Sequence, residues 1–295
     1  MKWNHCLQNA VNGMIYGESV YLDTMAVHWD AIVWGDYEAV MPLTWKKKWS
    51  IRYLYQPPFL QQGGIYAIQP LSNTLLSAFL NLAAKHFSFA ETTLNHGNLC
   101  RQWPDGIAMQ KRSNYLIHLE KGYEEIYKNY HQDTRQSIQK ALDANLQYSD
   151  STAISPAIRL YEERYRERLP AFKPDAYNRF EKLCKHYSQQ NRVIVRQVKE
   201  PENGELIAVS LLLKDDKRFY NLISCTVPEG RKKKANYFLY DALIREWAGT
   251  SMILDLEGSD VPGIAFFYQK LGAKGENYPF IRFNLLPRPV RLFKR

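Results

Sequence analysis

The chain has 295 residues, 45% of them hydrophobic and 23% charged, a globular composition with room for one large or two medium domains. Its 20 Tyr, 13 Phe and 7 Trp exclude intrinsic disorder, and no apolar run approaches the roughly 20 residues of a membrane-spanning helix. The net charge of +9 sits in three acid-free runs, Lys46-Lys47-Lys48, Arg231-Lys232-Lys233-Lys234 and the tail Arg282–Arg295, outside which the chain is slightly acidic. Short local runs suit a phosphate-bearing small molecule at least as well as the spread basic footprint of a nucleic-acid binder.

Residues Met1-Lys2-Trp3-Asn4-His5-Cys6 carry no apolar signal-peptide stretch, so a cytoplasmic location is expected. Cys6, Cys100, Cys184 and Cys225 are scattered and form no CxxC pair. They read as reduced packing residues, and no metal site is expected.

In chain order, Trp29–Trp34 reads as a strand, Gly35-Asp36 as a turn, and Glu38–Thr44 and Ile51–Tyr55 as two further strands. Ser72–His86 places Leu75, Leu76, Phe79, Leu80 and Leu82 on or near one helical stripe, and Phe87–Thr92 alternates like a strand. Tyr115–Leu119 looks like the last strand of the first half. Glu120–Leu146 reads as one long polar helix, and a second helix falls at Pro156–Arg168. Arg192–Val198, Glu205–Leu213 and Arg218–Cys225 form three more strands, the first two joined by a Glu202-Asn203-Gly204 turn. A helix at Ala235–Trp247 and a strand at Met252–Leu256 follow.

The order repeats: an antiparallel three-strand meander, a helix and a parallel return strand occur in each half. The expected fold class is mixed α/β in two tandem domains, residues 1–120 and 121–295. No Ser/Gly-rich linker separates them.

A second-half meander and helix leading to Phe267-Tyr268-Gln269-Lys270-Leu271-Gly272-Ala273 resemble the Gcn5-related (GNAT) acyltransferase superfamily, whose late Tyr-x-Lys-x-Gly stretch this segment matches. Two tandem copies, Arg135-x-x-Ile138-x-x-Ala141, and Leu254-Asp255-Leu256-Glu257-Gly258 before the closing helix resemble its FemAB/FemX-type branch. The resemblance implies direct attack of an amine on a donor acyl group, with the tyrosine near the donor sulfur. The role this implies for Tyr268 is that of a general acid toward the departing thiolate, the alternative being a packed aromatic with its hydroxyl satisfied. FemAB-type enzymes that use charged tRNA usually insert a helical coiled-coil arm in the second domain. No heptad pair of that kind lies between Arg192 and Arg295, which favours acyl-CoA, acetyl-CoA first, as donor.

The phosphate loop of that family is degenerate here. Glu229-Gly230-Arg231-Lys232-Lys233-Lys234-Ala235-Asn236 lacks the central glycine, and Val261 stands where an asparagine is usual. The segment still precedes a helix N-terminus, whose unsatisfied N–H groups and dipole favour an anion. Gly230, Arg231, Lys232, Lys233, Lys234, Ala235 and Asn236 are therefore the expected donor-binding residues, the alternative being a solvated basic surface run. Asp255 and Glu257 alternate with Leu254 and Leu256, so both carboxylates are expected on one side of a strand, where either could take a proton from the amine, the alternative being that it caps the following turn or pairs with a basic neighbour. In the first half, Tyr55, Gln56, Phe59, Gln61 and Gln62 belong to a rigid loop, Tyr55–Gly64, at the repeat position of the phosphate loop. They are expected to shape an acceptor pocket in the cleft between the halves, the alternative being a turn buried by its own aromatics. The acceptor would be an amine of a cell-envelope precursor or a small metabolite. Two other readings stay open: FemAB-like aminoacyl transfer from charged tRNA, with RNA contacted through Lys46–Lys48 and the basic tail, and a catalytically silent binding protein.

Overall fold

The computed structural model describes residues 2–168, 172–258 and 260–287, so most of the basic tail lies outside the described residues. Two short helices come first, α1 (Lys2–Asn9) and α2 (Ser19–Met25), then the antiparallel strands β1 (His28–Trp34), β2 (Ala39–Lys48) and β3 (Ile51–Tyr55). The two-residue strand β4 (Tyr66–Ala67) pairs with β2, and α3 (Asn73–His86) leads into β5 (Phe89–Thr93), parallel to β3. Ser72 caps α3 by accepting from the Leu75 N–H, and the helix buries Leu76, Phe79, Leu80 and Ala83 at three- and four-residue spacing.

After β6 (Ala108–His118) come α4 (Tyr123–Tyr127), α5 (Gln132–Asp143), the polar strand β7 (Gln147–Ser151), α6 (Ile154–Tyr165) and α7 (Pro174–Ser188). A second antiparallel meander follows: β8 (Val193–Lys199), β9 (Leu206–Lys214) and β10 (Arg218–Thr226). Short α8 (Pro228–Lys232) and α9 (Ala235–Trp247) return the chain to β11 (Ile253–Asp255), parallel to β10. α10 (Pro262–Lys270) and β12 (Lys274–Asn284) complete the fold.

Both copies of the repeat thus contain the meander, the helix and the parallel return strand. Their closing strands are exchanged. β6, which follows the first copy's return strand, pairs antiparallel with β11, and β12 pairs antiparallel with β5. Tyr115–Leu119, read from sequence as the end of the first half, therefore pairs with β11 of the second unit instead. The chain divides into two compact units: described residues up to Arg112 with those from Asn277 onward, and Ser113–Glu276. A single boundary after residue 120 cannot express that division.

Each unit has its own core. The first buries Met41, Leu54, Phe79, Leu80, Ile281 and Phe283 together; the second buries Ile117, Ile138, Leu212, Phe219, Leu239, Leu243 and Leu254. The long helix expected at 120–146 is broken between α4 and α5. Arg135 donates to the Tyr127 and Lys128 carbonyls, and the His131 N–H turns away to the Lys270 carbonyl. Those bonds replace the ladder a continuous helix would need. The described residues include no helix long and apolar enough to cross a membrane.

Candidate active site

β10 has nine residues but pairs with β11 only where Arg218–Tyr220 meet Ile253–Asp255. Its register against β9 shifts between Tyr220 and Ile223, an irregularity of the bulge type that bends a strand and re-aims its side chains. Past that point β10 has no partner in β11, and a cavity of about 370 Å³ forms in the second unit. Ser224 and Thr226 of β10, Arg231, and Asn236, Tyr237 and Tyr240 of α9 line it. Tyr165 and, from α10, Gly263, Ile264, Phe267 and Tyr268 complete the lining.

The apolar part is aromatic. Phe267 meets Tyr237 at 5.0 Å and Tyr240 at 5.4 Å between ring centroids, both edge-on, the geometry ring quadrupoles favour. The polar part is a linked set of hydroxyls. Tyr240 receives the Asn221 amide at 2.7 Å and is electrostatically coupled to the nearby Ser224 and Tyr268 hydroxyls, while Ser210 donates to the Asn221 carbonyl. Burial, then the Tyr240 contact, then the nearby Glu257 charge hold the Tyr268 phenol well above its ordinary value, so it keeps its proton. Sequence reasoning reached Tyr268, Arg231 and Asn236, which share this cavity. It missed Tyr240, Ser224 and Asn221.

The basic loop is less uniform than its sequence suggests. Arg231 lines the cavity, but Lys232 pairs with Glu229 at 3.0 Å and Lys233 with the buried Glu200 at 2.6 Å. Lys234 is the N-cap of α9 in the left-handed region at φ 61°, with no side-chain cap bond, so Ala235 and Asn236 open the helix without a capping side chain. Gly230 has a separate reason to be glycine: a Cβ there would lie 2.4 Å from the Ile207 carbonyl oxygen, which is backbone and cannot swing aside. Gly230→Ala is expected to destabilise the protein by about 1–3 kcal/mol in chemical denaturation, as forced overpacking does. A variant as stable as the parent would show that α8 shifts freely.

The two candidate carboxylates part company. β11 ends at Asp255, and Glu257 lies beyond it with φ 60°, so the shared strand face expected from alternation does not form. Asp255 is fully buried. It accepts from Arg218 at 2.9 Å, Asn114 at 3.1 Å and the Glu257 N–H at 3.0 Å, and Arg218 also holds Glu276 through two bonds of 3.2 Å. Burial raises the Asp255 carboxyl while Arg218 pulls it back down. Burial works against charge on Arg218 too, but Asp255 and Glu276 together hold the guanidinium above its ordinary value. Neither carboxylate lines the cavity: Asp255 is anchored in an ion cluster, and Glu257 is the one whose charge Tyr268 feels.

In the first unit the loop after β3 is internally bonded. Gln56 accepts from Thr92 and from the Thr93 N–H and hydroxyl and donates to the Leu60 and Gln61 carbonyls. Gln62 is fully buried, accepting from the His96 N–H and donating to Gln61. The Tyr55 hydroxyl accepts from the Val27 N–H, and buried Phe59, at φ 59°, accepts the Tyr21 hydroxyl on its carbonyl. The structure brings these five residues together as a plug, and none of them lines the cavity described above. No group of three or more His, Cys, Asp and Glu side chains able to hold a metal occurs among the described residues.

Residues 128–259 match the family model described as acetyltransferase (GNAT) domain. Among solved structures, FemX is 12% identical with a TM-score of 0.70, covering 99% of this chain and 97% of that one. A conserved protein of unknown function from Bacteroides thetaiotaomicron is 9% identical with a TM-score of 0.63, covering 96% of each chain. A tandem GNAT protein from the clavulanic acid biosynthesis pathway is 10% identical with a TM-score of 0.50, covering 95% of this chain and 94% of that one. No curated protein sequence matches the chain. The chain has a GNAT-superfamily, FemX-like fold. Acyl transfer is the class of chemistry that the domain match over residues 128–259 supports.

Proposed function

We propose that the protein is an N-acyltransferase that takes an acyl group from acyl-CoA, acetyl-CoA first, and delivers it to an amine of a small metabolite or envelope precursor. The observation that carries this reading is the cavity at the parting of β10 and β11, where a cation, a helix N-terminus and a protonated tyrosine converge. Arg231, Asn236 and the first N–H groups of α9 would hold the donor's phosphates. The thioester supplies an activated carbonyl. The amine nitrogen attacks it, the carbon–sulfur bond breaks, and Tyr268 protonates the leaving sulfur. Glu257 would receive the amine proton; the anchored Asp255 would instead fix the end of β11. No enzyme nucleophile is required.

The likeness to FemX favours a second reading, aminoacyl transfer from charged tRNA. Calorimetric titration separates the two. Acetyl-CoA is expected to bind in the micromolar range and to weaken about 10- to 100-fold in Arg231→Ala, the loss of one charge-assisted contact. Absent CoA binding, with salt-sensitive binding of aminoacyl-tRNA instead, would overturn the CoA assignment.

A further inference from the structure

The Lys46–Lys48 run, which the acyl-transfer site does not use, ends in a hairpin tip that is unfavourable in three separate ways. β2 and β3 are joined by only Trp49 and Ser50, both left-handed at φ 47° and φ 64°. That is the turn geometry that favours Asn-Gly, and a tryptophan there strains its backbone. The Trp49 side chain is also 75% exposed at the outermost point of the hairpin. Just behind it, Lys47 and Arg52 are direct cross-strand partners, a like-charge pair that weakens a sheet. Arg52 makes a long 3.8 Å pairing with Asp30 and lies over the Trp45 and Phe87 rings, and no acidic residue occurs in sequence between Glu38 and Glu91. Strain, exposed aromatic surface and positive charge in excess of its acidic partners, concentrated in one place, point to a ligand that relieves them.

We propose that this tip is a docking element for an anionic lipid surface. The layering fits a bilayer interface. An indole, amphipathic and suited to the headgroup boundary, sits foremost. Lys48 and then Lys47 and Arg52 follow, the last pair about 7 Å behind at strand rise, at a depth where lipid phosphates would lie. Single-stranded RNA would need an open ring face for stacking and cations laid alongside it. Here the Lys48 ammonium lies over the Trp49 ring, 4.8 Å from its centroid, and the other cations recede in depth rather than along a track.

Co-sedimentation of the full chain with vesicles tests the proposal, using phosphatidylcholine alone and a two-to-one mixture with phosphatidylglycerol. Binding is expected only to the mixture and to fall as salt rises. A Lys47→Ser/Lys48→Ser double variant should bind about 25-fold more weakly, at roughly five-fold per basic side chain. Trp49→Asn should bind about ten-fold more weakly, by loss of buried apolar ring, while its melting temperature is unchanged or higher because asparagine suits the turn. That opposite movement of binding and stability is not what a structural role for Trp49 gives. Wild-type protein that ignores the mixed vesicles, binds phosphatidylcholine equally well, or binds in a manner indifferent to these substitutions overturns the proposal. So does binding of an RNA oligonucleotide, lost in the same variants, without vesicle binding.

Discussion

Arg218→Met is expected to destabilise the protein by about 3–5 kcal/mol, because it leaves a buried carboxylate without its counter-charge. Among the described residues Arg218 is the one cation bonded to fully buried Asp255, and it also holds Glu276, so its removal takes the counter-charge from the buried carboxylate. The damage should depend on pH. Without Arg218, burial alone acts on Asp255, and its folded-state carboxyl rises further above the unfolded value. The folded variant then binds an extra proton, so its stability is greatest below the unfolded carboxylate range and is lost as pH rises through the raised value. Urea titrations at acidic and neutral pH should show a wider gap from the parent at neutral pH. Adding Asp255→Asn to Arg218→Met should recover more than half of the loss, because the buried charge goes with it. A single variant within about 1 kcal/mol of the parent would mean that the site relaxes enough to hydrate Asp255.

The elements that alternate or repeat at helical spacing were legible in the sequence, and those set by distant partners were not. Glu205–Leu213 reads as a strand because its apolar run has strand length, and β9 occupies Leu206–Lys214. Ala235–Trp247 matches α9 because Leu239, Leu243 and Ile244 keep one face buried. The exchange of β6 and β12 has no local signal: each would look the same paired with either return strand. β7, with sequence QYSDS, lacks alternation because it is a polar strand held by pairing with β8 alone. α7 does carry a signal, with Pro174 at its start and Tyr177, Phe180, Leu183, Cys184 and Tyr187 buried along one stripe. A search organised by the repeat passes over it, since α7 has no counterpart in the first copy.

The site divides the same way. Tyr268 and Arg231 stand in segments whose residue types name their chemistry, and both reach the cavity. A count of lysines is blind to partners, and Glu200, far earlier in sequence, occupies Lys233. Alternation placed Asp255 and Glu257 together only on the assumption that the strand continued; the left-handed turn at Glu257 ends it. Tyr240 became part of the site because the shift in β10 brings Asn221 and Ser224 to its hydroxyl, and a three-dimensional irregularity of that kind leaves no mark in residue types.

Tyr268→Phe is expected to lower kcat by about 100-fold or more while leaving KM within about two-fold, the pattern of a proton donor that acts in the transition state. The substitution keeps the ring contacts with Tyr240 at 6.0 Å and Tyr115 at 6.0 Å, so packing and donor affinity should survive. Because the phenol is held well above its ordinary value, Tyr268 stays protonated across neutral and mildly alkaline pH. Loss of wild-type activity on acidification would then report protonation of the base, for which Glu257 is the candidate. Glu257→Gln should remove that acid limb, whereas Asp255→Asn, in whatever fraction stays folded, should retain it. Tyr240→Phe deletes a hydroxyl that accepts from Asn221 and is electrostatically coupled to Tyr268, so it should lower kcat by a smaller factor, about ten-fold. The double variant should be no slower than Tyr268→Phe alone, because residues acting on one proton are not additive. Stopped-assay thiol release with an amine acceptor found by mass-shift screening would supply the rates. An unchanged kcat in Tyr268→Phe, with acyl transfer intact, would remove the tyrosine from the chemistry and leave the cavity as a binding site alone.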